Sequence, residues 1–265
     1  MATTDIDRDL PLTETEDGFQ GFWPNQSADE AEGAQMTLVE HLAELRRRLF
    51  FCIITILVTS IVAFIFIHPI LAFLQIPLHG VYGHLVVTGV GEGFTVAFKV
   101  ALGVGIGLAA PMWLYQAWGF IAPGLTRKEK KYALPFTLIG VALFVVGLAV
   151  GFVTLRFPVA WLLGFGQDAG FHELISADNY FSFILYFMLA FGVTFELPLV
   201  MTFLSLIGVI SSRRLSRSRP YALVGLWLLA TVITPGADPY SPIILGVALT
   251  FLYFLSELLI RAIGK

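Results

Sequence analysis

The sequence predicts an all-α integral membrane protein with six transmembrane helices, both termini cytoplasmic and the last two spans short. Three observations carry that expectation. Of 265 residues, 57% are hydrophobic and 13% charged, with a mean hydropathy of +0.82, far from the composition of a soluble domain. Apolar runs long enough to cross a bilayer recur along the chain, separated by polar segments. Thirteen of the sixteen Lys and Arg residues fall on one side of the implied membrane and only Arg156 on the other, which sets the orientation. The net charge of -3 hides this asymmetry, because nine of the nineteen acids lie in the first 35 residues.

Residues 1–35 have neither the basic start nor the apolar core of a signal peptide. They read as a disordered acidic cytoplasmic tail. Residues 36–48 read as an amphipathic interfacial helix, since Leu38, Leu42, Leu45 and Leu49 recur at steps of four, three and four. Thr37 and Glu40 have capping-box spacing. Glu44 either pairs with Arg48 four residues on or serves a ligand. The cations Arg46, Arg47 and Arg48 hold this end inside.

The membrane domain, 49–265, begins with a span over 49–67, which carries no charge and is closed by Pro69. The single cysteine, Cys52, excludes an internal disulfide and reads as a buried structural thiol. His68–Gly93 holds no Lys or Arg and belongs outside. The second span, 94–114, carries Lys99, which is expected to snorkel outward, and a Gly103-x-x-x-Gly107 packing face. Tyr115–Tyr132, with a Pro123-Gly124 turn and four cations, is cytoplasmic, and Thr126 and Glu129 again have capping-box spacing. A third span covers 133–155, and an external segment follows to Asp178, with Ser176 or Asp178 capping the next helix.

The fourth span, 180–210, is interrupted by Glu196 and Pro198. An acid at the middle of a span costs about 2.5–3.5 kcal/mol on insertion scales, so it marks a functional polar site by default. The other reading is a protonated Glu196 bonding a carbonyl freed by Pro198. Ser211–Arg219, with four arginines, returns to the cytoplasm. Two compressed spans, 221–235 and 242–260, complete the domain, with Ser241-Pro242 as cap and first helical position. Glu257 and Arg261 are expected to pair.

The chemistry available is narrow. No histidine lies inside a span, and there is no Gly-x-Ser-x-Gly, no pair of intramembrane aspartates and no Cys or His cluster. An enzyme, a metal, a cofactor and a nucleic-acid partner are therefore not expected. Glu44 and Glu129 amid cytoplasmic cations, with Glu196 at depth, suggest recognition of a cationic ligand inside and a polar site within the membrane.

His-Leu-x-Glu-Leu-Arg-x-Arg-Leu at 41–49, Pro-x-x-x-Tyr-Gln at 111–116 with Trp118 and Phe120, and Pro123-Gly124-Leu125-x-x-x-Glu129 form a specific set. Phe-Glu-x-Pro at 195–198, Arg219-Pro220-Tyr221, and Thr234-Pro235 with Asp238 and Ser241 extend it. With these motifs, residues 37–261 resemble the TatC family of the twin-arginine (Sec-independent) protein translocase. The resemblance implies a multi-pass subunit of a prokaryotic inner membrane that binds Arg-Arg signal peptides and nucleates transport of folded proteins driven by the proton gradient. It implies that Glu44 and Glu129, supported by Arg46, contact the paired arginines. Glu196 would then contact single-span TatA and TatB-type partners. Pro77, Phe94, Tyr115, Gln116, Pro123 and Asp238 are family-motif positions of undefined role. The bilayer and further copies of the chain in an assembled receptor are the other partners implied. Pro242 stands where many members have Gln. A small proton-coupled secondary transporter using Glu196 is the alternative from a different class.

Overall fold

The computed structural model describes residues 38–78, 85–121, 133–168, 174–236 and 238–263. Glu129 and Pro123 lie outside them. Ten α-helices account for nearly all of the described residues: α1 Leu38–Ile65, α2 Ile67–Leu74, α3 Glu92–Leu108, α4 Ala110–Ile121, α5 Ala133–Thr154, α6 Arg156–Asp168, α7 Ala177–Thr194, α8 Leu197–Leu206, α9 Ser212–Ile233 and α10 Tyr240–Ala262. A 3₁₀ turn, Ile76–Leu78, and an isolated parallel bridge between Val86 and Ser176 complete the regular structure. The chain forms two compact units, Met1–Glu44 and Leu45–Lys265; of the first, the described residues are the opening turns of α1.

Proline decides where the long apolar runs break. The helices are interrupted at Phe66, Ala109, Leu155 and Phe195–Glu196, two or three residues ahead of Pro69, Pro111, Pro158 and Pro198. A prolyl ring has no N–H and excludes the carbonyl four residues earlier from the helical ladder. Those residues are Ile65, Gly107, Thr154 and Thr194. Helices α1, α5 and α7 end at that residue and α3 ends one residue beyond it. Thus Pro69 does close the first span, but from inside the next helix.

Four stretches are long and apolar enough to cross a membrane: Val39–Ile65, Leu134–Gly166, Ala177–Leu206 and Tyr240–Ala262. The pair Glu92–Leu108 and Ala110–Phe120, bent by 51°, makes a fifth if taken as one span. The protein is therefore a multi-pass, all-helical membrane protein. Helix α9 is longer than expected, beginning at Ser212 rather than Tyr221. Ser211 caps it by accepting from the Arg214 N–H, so the arginine-rich segment forms its first turns.

Helix α7 is the centre of the packing, with α3 and α5 against it, and Ile184, Phe187 and Phe191 fully buried. The glycines of α3 divide by face. Gly103 meets Leu185 of α7 and Gly107 meets Leu148 of α5, whereas Gly105, on the opposite side, presses on Ser60 of α1. Thr59 Oγ1 donates to the Gly105 carbonyl at 2.8 Å across that seam. Elsewhere α1 displays Phe50, Leu57, Ile61 and Ile65 outward, and Cys52 is half-buried rather than buried.

Candidate functional site

The basic turn that follows Glu44 is anchored from the side. Arg48 Nη1 donates to Gln116 Oε1 of α4 at 3.1 Å. The guanidinium lies so close to Gly119 that a Cβ there would stand 2.8 Å from Arg48 Cζ. Trp118, between these two contacts, packs edge-on to Phe203 of α8 at 4.7 Å and against Phe136 of α5 at 4.8 Å, fixing the end of α4. Arg48 is therefore held at the helix end from which the chain continues toward Pro123 and Glu129. Glu44 is half-buried in the opening turns of α1, Arg46 is exposed, and Tyr115 is 49% exposed.

Glu196 occupies the break between α7 and α8 and is only 7% exposed. Its two carboxylate oxygens are both shielded and accept no hydrogen bond among the described residues. The room for them is made by an absent side chain: a Cβ on Gly140 of α5 would lie 3.2 Å from Glu196 Oε2, 3.0 Å from Leu199 and 3.4 Å from Leu114. The expectation that Glu196 bonds a carbonyl freed by Pro198 is not met. A buried carboxyl left without a hydrogen-bond partner is costly.

A second carboxylate is fully engaged. Glu257, 3% exposed, accepts from Arg219 at 2.8 and 2.6 Å, from Arg261 one turn on, and from Ser216. The Glu257–Arg261 pair is as expected from spacing. Arg219, which joins α9 to α10, was not legible from spacing because it lies 38 residues away.

At the opposite ends of the spans, Glu92 braces two segments. It accepts from the Thr88 hydroxyl at 2.8 Å and the Gly89 N–H at 3.0 Å. It also accepts from the Ser176 hydroxyl at 2.9 Å and the Asp178 N–H at 3.2 Å. Hydrogen bonds from Thr88 first, with those from Ser176 and Asp178, pull its pKa down to about 2. The cap of α7 is thus Glu92 of a different helix, not Ser176 or Asp178. Val86 adds backbone bonds to Ile175 and Ala177. Lys99 reaches outward as expected and finds Asp178 at 2.6 Å.

Asp238 is the true cap of α10. Its carboxylate accepts from the Ser241 N–H at 2.6 Å and the Ser241 hydroxyl at 2.7 Å, placing Ser241 inside the helix rather than at its cap. Pro77 lies in the 3₁₀ turn, and Phe94, 67% exposed, meets Phe64 of α1 edge-on at 6.3 Å. Among the described residues, no hydrogen bond, ion pair or ring contact joins Glu196, Asp238, Pro77 and Phe94 into one site.

A family profile described as "Sec-independent protein translocase protein (TatC)" matches residues 40–247. A Sec-independent protein translocase protein TatC of Carboxydothermus hydrogenoformans is 37% identical over 226 residues, 85% of this chain and 93% of that protein. One from Helicobacter pylori strain 26695 is 37% identical over 228 residues, 86% of this chain and 88% of that protein. Among solved structures, the crystal structure titled Twin Arginine Translocase Receptor TatC superposes with a TM-score of 0.74 at 33% identity. That match covers 85% of this chain and all of the other.

Proposed function

We propose, from the premise that this chain belongs to the TatC family of Sec-independent protein translocase proteins, that it is the receptor subunit for Arg-Arg signal peptides. As a translocase component it is not an enzyme, and its work is recognition and assembly. In this reading Glu44 and Glu129 take the two guanidinium groups of the signal, with Arg46 in a supporting role beside them. A guanidinium meets a carboxylate through two parallel hydrogen bonds, which an ammonium cannot do, so Arg-Arg is preferred to Lys-Lys.

The observation that carries the proposal is the anchoring of Arg48 on Gln116 and Gly119. It brings the basic turn of the first motif to the end of α4, whose continuation bears the second. Six crossings with both termini in the cytoplasm are part of this reading, and the cation asymmetry, thirteen against one, supports that orientation; a prokaryotic inner-membrane location goes with the family. The counting includes α9, whose apolar part is short because arginines fill its first turns.

Glu196 is proposed as the intramembrane site for single-span TatA and TatB-type partners, and copies of the receptor are proposed to associate in an assembled complex. Its burial behind Gly140, Leu114 and Leu199 supports a site that opens before a partner reaches it.

The decisive experiment is binding of labelled Arg-Arg and Lys-Lys signal peptides to the purified protein, wild type against Glu44→Gln and Glu129→Gln. Preference for Arg-Arg that either substitution weakens supports the receptor reading. Equal binding of both peptides by well-folded wild type sinks it.

A further inference from the structure

The arginines that open α9 are of two kinds. Arg219 is committed to Glu257, and Arg214 donates to the Val209 carbonyl at 2.8 Å. Arg213 and Arg217 are exposed and make no hydrogen bond or ion pair among the described residues. They are four residues apart and so share a helix face.

That face continues as Tyr221, Val224, Leu228 and Val232, which are 81%, 63%, 63% and 82% exposed. At 100° per residue all six positions fall within an arc of about 100°. The packed side of the helix is a different one, with Leu215 against Tyr253 and Ile260, and Ala230 fully buried. In a bilayer the outward stripe is coated by acyl chains. The two guanidinium groups then stand directly over those chains at head-group level, with Tyr221 at the boundary. A role confined to setting orientation would not require these two cations in register with the lipid-facing stripe.

We infer that this face of α9 is a binding site for an anionic phospholipid, its phosphate held by Arg213 and Arg217 and its acyl chains lying along Tyr221 to Val232. The planar forks match phosphate oxygens in pairs. A zwitterionic lipid carries its own cation beside the phosphate and gains less. Positive charge in the first turn of a helix opposes the helix dipole, and a bound phosphate relieves that opposition.

Native mass spectrometry of the whole purified protein, offered equal amounts of phosphatidylglycerol and phosphatidylcholine, tests the assignment. Wild type is expected to retain phosphatidylglycerol preferentially. Loss of one arginine near an anionic head group weakens binding about fivefold, so Arg213→Gln with Arg217→Gln should cut the preference about 25-fold. Arg156→Gln, on the other side of the membrane, should leave it unchanged. The Arg213→Lys, Arg217→Lys pair keeps both charges and the orientation signal, and should retain only part of the preference. An unchanged preference in either double variant, or an equal loss in Arg156→Gln, would overturn the site.

Discussion

Replacing Gly105 by alanine should part α1 from α3. The new Cβ would stand 2.7 Å from Ser60 Cα and 2.8 Å from Ser60 N, against an ordinary carbon contact of about 3.5–4.0 Å. The helices must therefore separate by about 1 Å. That overlap costs about 1–3 kcal/mol by comparison with other overpacked interiors. It also stretches the Thr59 hydroxyl bond to the Gly105 carbonyl, an interhelical bond worth about 0.6 kcal/mol on average within membranes. The sum is about 2–4 kcal/mol. Thermal unfolding in detergent reads it, with Gly103→Ala as comparator. There the Cβ meets only the Leu185 side chain, at 2.8 Å, whose tip can turn aside, so the cost should stay below about 1 kcal/mol. Adding Ser60→Gly to Gly105→Ala should restore stability only in part, because it removes the clash with Ser60 Oγ and leaves those with the Ser60 main chain. Full rescue by Ser60→Gly, or equal damage from Gly103→Ala, would refute the reasoning. Signal-peptide binding should weaken as well, since the same seam keeps Arg48 on Gln116.

Gly140→Ala crowds Glu196 and should cost about 1–3 kcal/mol, and combining it with Glu196→Ala should cost less than the sum in a double-mutant cycle; additive losses would deny the contact. Asp238→Ala removes both acceptors at the head of α10 and should cost about 0.5–2 kcal/mol in thermal unfolding, with Asp238→Asn losing less. The Glu92 pKa is depressed, so its brace contributes fully above its ordinary value of 4.5 and is lost as pH falls toward about 2. Amide exchange in 85–92 and 174–178 should rise across that window in wild type and be high at every pH in Glu92→Gln; flat protection in wild type counts against it.

Much of this fold is legible in the chain because the bilayer leaves few options: apolar length marks the spans, cations mark their ends, and Glu196 stands out by its cost. What was hidden depends on distance in sequence. Glu92 caps a helix more than eighty residues away, and Arg219 finds Glu257 across a hairpin, which no local spacing reveals. The first span ends short of the expected residue 67 for a simpler reason: a proline acts on the carbonyl four residues before it, so α1 stops at Ile65 ahead of Pro69, whereas the break at Glu196 falls where the sequence puts it. The capping error at Ser241 has the same local origin, since Asp238 three residues earlier is the better acceptor for a free helical N–H.

The bend between α3 and α4 has a consequence for depth. Glu92–Leu108 and Ala110–Phe120 would together reach about 42 Å if straight, at 1.5 Å per residue, well beyond a hydrocarbon core of roughly 30 Å. With the first limb along the membrane normal, tilting the second by 51° lowers its vertical reach from about 17 to about 10 Å. The helix end bearing Gln116 and Gly119 is thereby folded down toward the waterline instead of projecting above it. On the proposed function, a receptor surface at that height would meet a ligand arriving flat along the membrane, and the search for a signal sequence would become two-dimensional.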